Sequence, residues 1–321
     1  KMMDSKAGYF EQNPVVGRRF ERLPSSDKHY LAHEYLNGHW HPLFHLDVAR
    51  ELEPARLTYI ASATLVENID RMSLPPTMLS LVDEIQDPGW RETIRDYARN
   101  QQFRRDIFVR GASRMTPAEH SVRMGAVKIA QMVPRQVIKL EIDTTLGTIK
   151  PDEAVCNAIL DALAERPHTI AELAALPAVK GKPGGSALLA VNLLVHPGYC
   201  HPVEPNQGAK PGDAARKLNS TAASRLLVGD FVGYVALPVV GTGLRASFVD
   251  LVLIYALQSG IPADTMQIAE FAWSLMLQSG RRLIKDKQRI ESKEENVALL
   301  EQQLPDLITK AIPMWKALGV I

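Results

Sequence analysis

The sequence predicts an α+β protein, predominantly helical, with a small first domain over residues 27–113 and a larger winged-helix-like C-terminal domain over 114–321 that ends in a helical tail. Three observations carry this expectation. Helix-start signals recur, with an acid or hydroxyl residue set just before a proline or an apolar run. Runs rich in strand formers are short. Three successive helical patterns in the second half, with a short turn between the last two, have the spacing of a helix-turn-helix core.

Taken in order, the first 26 residues read as a helical linker broken at Asn13-Pro14, a tail leaving an upstream domain. Ser26-Asp27 supplies an N-cap for a helix over 28–37, with Gly38 placed to end it. A helix near 47–53 follows, then the strand candidate Leu57 to Ala61. Pro75-Pro76 opens a helix to about Ile85, and Asp87-Pro88 opens another to about Gln101. Residues 103–109 turn strand-like. Thr116 and Glu119 stand at capping-box spacing.

In the second domain, 137–142 and 145–149 are strand candidates. Residues 152–165 place Val155, Ile159, Leu160 and Leu163 on one helical face. Helices over 169–176 and 184–194 complete the three-helix set, and strand-like 231–237 and 244–247 are expected to form the wing. Helices over 248–258 and 262–278 and a helical tail over 281–318 close the chain.

Bulk composition narrows the function. Thirty-seven basic residues face 36 acidic ones, a net charge of +1, which argues against a dedicated nucleic-acid binder. Cys156 and Cys200 have no metal-site spacing and fit a reducing setting. No signal peptide or membrane-length apolar run is present, so a soluble, cytoplasmic protein with no membrane partner is expected. The chain opens at Lys1, which reads as a fragment boundary.

Motifs for chemistry are sparse. Gly241-Thr242-Gly243 lacks the third glycine and the downstream acid of a dinucleotide site and reads as a turn between strands. Lys180 to Ser186 lacks phosphate-loop spacing and reads as an interhelical loop. His29, His33, His39, His41 and His45 cluster within 17 residues; packing beside aromatics is favoured over a metal site, because no third-ligand carboxylate falls at a matching spacing. Phe103 to Arg110 interleaves arginines with apolar residues. Internal ion pairing is its first reading, and an arginine surface for a docked domain its second. The last of the three helices holds no Lys or Arg, which speaks against base or phosphate readout.

Tyr30 to Leu36, followed by Pro42-Leu43-Phe44-His45, resembles the opening of the predicted methyltransferase regulatory domain, and Asp96 to Asp106 resembles its closing segment. Lys217-Leu218-Asn219 and Leu237 to Gly241 resemble the C-terminal region that accompanies it, more weakly. The resemblance implies a non-catalytic accessory region of a bacterial S-adenosylmethionine-dependent methyltransferase, of the protein lysine methyltransferase kind. In that family the donor-binding Rossmann-like domain comes first. No catalytic, cofactor-binding or metal residue is therefore expected in this chain, and S-adenosylmethionine belongs to the upstream domain. The expected partners are that domain in cis, a protein substrate and a second copy in a homodimer, with no nucleic acid. Tyr30, His33, Glu34, Trp40, Phe44, Arg104 and Arg105 are the candidate partner or substrate contacts. Two other readings stand beside it: a winged-helix nucleic-acid binder, and a metal-dependent enzyme built on His29 to His45.

Overall fold

A computed structural model of the chain describes residues 5, 7–183, 185–205, 213–262, 264–285 and 288–321. Its helices far outnumber its short antiparallel strands, the α+β, mainly helical class expected. The expected start of the linker at residues 1–4 and 6, Gly184 of the third helix, and Asp286 and Lys287 of the tail lie outside the described residues.

The first domain is held by a two-stranded sheet whose strands are far apart in sequence. Leu57–Ser62 pairs antiparallel with Asp106–Arg110, Leu57 opposite Arg110 and Ser62 opposite Asp106. Helices His45–Leu52 and Pro88–Arg99 pack together beside it. Gly89 permits that approach, since an added Cβ would collide with Leu46 Cδ1. The start signals act as predicted. Asp87 accepts from the Trp90 N–H at 2.8 Å and Asp27 from the Tyr30 N–H at 3.0 Å. Asn100, in the left-handed conformation (φ 54°), ends the helix at Arg99, just short of the end expected near Gln101.

The second part differs from the expectation in one important way. Helices Glu153–Glu165, Ile170–Ala174 and Ser186–Val195 form as predicted, Asp152 and Thr169 supplying caps. They pack on a three-stranded antiparallel sheet whose middle strand is Lys128–Gln131, flanked by His168–Thr169 and Cys200–Pro202. The residues expected to form a wing make a separate hairpin instead, Tyr234–Leu237 with Thr242–Arg245. The middle strand comes from upstream, where only Lys128, Ile129, Ala130 and Gln131 are extended. Four residues are too few to show a period in sequence. The strand candidate 137–142 is likewise corrected: the hairpin there joins Ile142–Thr144 to Gly147–Ile149.

Alternation along Lys128–Gln131 joins two cores. Ile129 enters one with Ile159, Leu160, Leu173 and Leu194. Ala130 enters the other with Leu237, Leu251, Ile254, Trp273 and Trp315. That second core is built from helices Asp213–Ser224, Phe248–Gln258, Thr265–Gln278, Lys293–Asp306 and Ile312–Leu318 around the hairpin. The tail is not helical from its start: Ile284–Lys285 and Gln288–Arg289 form a short hairpin before Lys293. The first domain meets the rest where Val66 and Met72 pack on Ile142 and Leu193.

Asn219 fastens the second core. It is fully buried, donates from Nδ2 to the carbonyls of Ala236 (2.9 Å) and Val320 (3.0 Å), and accepts from the Ala236 N–H at 2.6 Å. Helix, hairpin and C-terminus thus share one side chain. Asn219→Ala leaves these three backbone groups buried and unpaired, and urea unfolding is expected to show a loss of about 3 kcal/mol or more. A loss below about 1 kcal/mol would show that the amide is dispensable.

Candidate functional site

The helix Pro88–Arg99 carries Glu92, Arg95, Asp96 and Arg99 at spacings of three and four, so they share one face. That face looks at Arg104, which lies just before the second strand, and at Asp106, the first residue of that strand. The result is a buried charge network. Arg104 Nε donates to Asp106 Oδ1 and Oδ2 at 3.0 and 2.8 Å, and its Nη2 donates to Glu92 Oε2 at 2.8 Å and Tyr59 Oη at 3.3 Å. Its Nη1 donates to Asp96 Oδ1. Arg95 donates to Asp70 at 2.6 and 2.9 Å and also to Glu92. His45 Nδ1 lies 2.9 Å from Asp106 Oδ2, and the Tyr59 hydroxyl donates to Glu92 at 3.2 Å.

Burial and pairing pull the two carboxylates on Arg104 in opposite directions. Burial pushes Glu92 up, but hydrogen bonds from Arg104 and Arg95 outweigh it and hold the group below the usual carboxylate range. For Asp96 burial wins, and its pKa is raised despite Arg104. Burial, aided by the charge of Glu92, also drives the Tyr59 phenol well above its ordinary value.

Above this network lies a cavity of about 690 Å³. Phe44, His45, Asp96, Tyr97, Gln102, Arg104, Asp106 and Phe108 are among its walls, chosen from both helices and the second strand. The Phe44 and Tyr97 rings stand 6.3 Å apart at its rim, and both are more than half exposed. A neighbouring groove runs between the N-terminal helix Pro14–Arg22 and the Lys28–Tyr35 helix, lined by Arg18, Arg22, Tyr30, Tyr35 and Gln102. Gln102 borders both hollows.

Of the seven candidate contact residues, the structure brings Phe44 and Arg104 together in the cavity and sets Tyr30 in the adjoining groove. Trp40, His33 and Glu34 are exposed outside both. Arg105 faces away from the cavity and donates to Thr64 Oγ1 at 2.9 Å. The internal ion-pair reading of 103–110 is therefore the right one for Arg104. Sequence reasoning missed His45, Asp96, Tyr97 and Asp106 as parts of one hollow. The i, i+3, i+4 charge pattern on 88–99 was the available signal.

The histidines do not converge. His45 is buried against Asp106, while His29, His33, His39 and His41 are exposed. Among the described residues no group of three His, Cys, Asp or Glu is placed to hold a metal ion. Gly241 sits in the turn of the Tyr234–Leu237 hairpin with φ +67°, the turn role read from the sequence. The helix Ser186–Val195 turns Ala187, Ala190, Val191, Leu193 and Leu194 inward and presents no basic side chain. Among the described residues no helix is long and apolar enough to cross a membrane.

Residues 27–110 match the family model described as the predicted methyltransferase regulatory domain, the segment that holds the network, the cavity and part of the groove. Along its whole length the chain is 33% identical to an uncharacterized Synechocystis protein, sll1526, and it spans 62% of that protein. Among solved structures it is similar to PKMT2 from Rickettsia typhi, at 14% identity and a TM-score of 0.53 over 96% of this chain and 64% of that one. The same protein in complex with AdoHcy gives a TM-score of 0.55 at the same identity, over 95% and 63% of the two chains. At that identity the likeness is one of fold.

Two outcomes follow from the network. Arg104→Met strands three carboxylates and should destabilise the first domain by about 3–5 kcal/mol, read as a lowered urea midpoint. Glu92, with its folded pKa depressed, contributes stability that is complete above its unfolded value and is lost as pH falls through the folded one. Stability should therefore fall below about pH 4.5, and Glu92→Gln should flatten that acid limb of the profile.

Proposed function

We propose that this chain is the accessory region of an S-adenosylmethionine-dependent methyltransferase, of the protein lysine methyltransferase kind, and that it docks the methyl-donor domain and helps to present a protein substrate. The observation that carries the reading is the regulatory-domain match over 27–110, in a chain that aligns end to end with only 62% of its relative. The rest of that relative has room for a further domain. The AdoHcy complex of the Rickettsia typhi protein supports donor use by the whole enzyme.

The surface fits a docking role. Tyr9, Val15, Phe20, Tyr30, Leu36 and Trp40 are all at least half exposed within the first forty residues. Large exposed apolar groups concentrated in one segment mark a contact surface. Tyr30, Trp40 and Phe44 are assigned to contact with the donor domain or the substrate, with His33, Glu34 and Arg105 at its polar margin. Arg104 is spent on inward ion pairs with Glu92, Asp96 and Asp106 rather than offered to a partner. A homodimer and a cytoplasmic setting belong to the same reading.

Calorimetric titration tests it. The isolated 321-residue chain should not bind S-adenosylmethionine, whereas the whole Synechocystis relative should bind it stoichiometrically. Removing the part of that relative that aligns with this chain should leave donor binding intact and abolish methylation of protein acceptors. Donor binding by this chain alone would overturn the reading.

A further inference from the structure

The groove of about 340 Å³ between the helices Pro14–Arg22 and Lys28–Tyr35 has a chemistry that the docking role does not require. Val15, Arg18, Arg19 and Arg22 stand at i, i+3, i+4 and i+7, so they form one stripe along the first helix, and all four line the groove. The opposite face holds that helix in place: Gly17 is buried, and the Phe20 ring meets Phe10 edge-on at 6.1 Å. A tight turn over Leu23–Ser25 folds the chain back, and the Ser26 hydroxyl donates to the Arg22 carbonyl at 3.0 Å. Tyr30 and Tyr35 supply the lining from the second helix.

The three guanidiniums are exposed, and none has a hydrogen bond or ion pair among the described residues. No acid lines the groove. Of the acids near it in sequence, Asp27 is committed to the Tyr30 N–H at 3.0 Å, and Glu11, Glu21 and Glu34 lie outside the lining. Arg19 and Arg22, in the last turn, suit the negative end of the helix dipole. That end does not require a third cation, and like charges at i+3 and i+4 weaken a helix. The Tyr30 and Tyr35 hydroxyls and the Gln102 amide can each donate or accept. The arginines therefore set the sign of the ligand, and it is an anion. Its size follows from their spacing. Three cations lie within five residues of helix, about 6 Å of rise. Three carboxylates on one side of an extended peptide would span about 13 Å. One orthophosphate brings at most about two charges. A diphosphate carries about three in one compact group, and a guanidinium meets phosphate oxygens two at a time.

We infer that this groove binds a diphosphate group, free or at the end of a nucleotide, with Arg18, Arg19 and Arg22 on its oxygens and the Tyr30 and Tyr35 hydroxyls beside them. The inference goes beyond the accessory reading and does not depend on it.

The experiment is calorimetric titration of the chain, in buffer free of phosphate and divalent cations, with inorganic pyrophosphate, ADP, orthophosphate and a peptide of three glutamates. Pyrophosphate and ADP should each bind one to one. Orthophosphate and the peptide should bind at least about tenfold more weakly. ADP binding more tightly than pyrophosphate would assign the site to nucleotides, and ADP binding no more tightly would assign it to the free diphosphate; either supports the inference. Arg18→Gln and Arg22→Gln should each weaken pyrophosphate about tenfold while leaving the ligand-free thermal melt in place. Arg114→Gln, at an exposed arginine outside the groove, should leave binding unchanged. Absence of pyrophosphate binding, equal affinity for orthophosphate or the glutamate peptide, or an equal loss in Arg114→Gln would each overturn the inference. The S-adenosylmethionine titrations do not involve these arginines, so either reading can fail without the other.

Discussion

Arg104 joins carboxylates from two elements, Glu92 and Asp96 from a helix and Asp106 from a strand, and the geometry of the first domain depends on this buried pairing. A guanidinium suits the task because its planar fork aims several donors at fixed angles. Each partner also constrains a second group. Asp106 orients His45, Glu92 receives Tyr59 and Arg95, and Arg95 reaches on to Asp70. The helix and the strand are thereby set at the separation that leaves a cavity between Tyr97 and Phe108. A purely apolar packing of the same volume could be as stable, but it would not place polar acceptors on the cavity wall.

The remaining chain solves a different problem, the joining of two cores. The strand Lys128–Gln131 does this by alternation, with Ile129 on one side and Ala130 on the other. Asn219 plays the matching part within the second core by tying the Tyr234–Leu237 strand to the C-terminus. Both devices tie elements of the C-terminal region to one another. The small first domain is attached to that region through Val66 and Met72.

Function follows from what is buried and what is left open. The carboxylates of the charge network are paired inward with Arg95 and Arg104, which makes it structural machinery. Tyr30 and Tyr35, two of the exposed aromatics of the first forty residues, line the groove that shares Gln102 with that cavity. An exposed aromatic segment and a cavity on one small domain accord with the docking role proposed above.

The sequence by itself determined the local events. Asp27, Asp87 and Thr116 each cap the helix that their spacing announced, and Asp152 and Thr169 cap the helices read as starting at them, because capping involves only a few neighbouring residues. The regulatory-domain resemblance was likewise legible in two short runs, Tyr30–His45 and Asp96–Asp106. Only the tertiary structure decided which strand completes the central sheet, since pairing is set by contacts remote in sequence and four extended residues carry no period of their own. It alone showed that His45 leaves the histidine cluster for Asp106, that Arg104 turns inward while Arg105 turns outward, and that Asp96 and Tyr97 share a cavity with Phe44. Those facts depend on two elements meeting across about fifty residues of chain, a distance over which sequence spacing holds no geometric information.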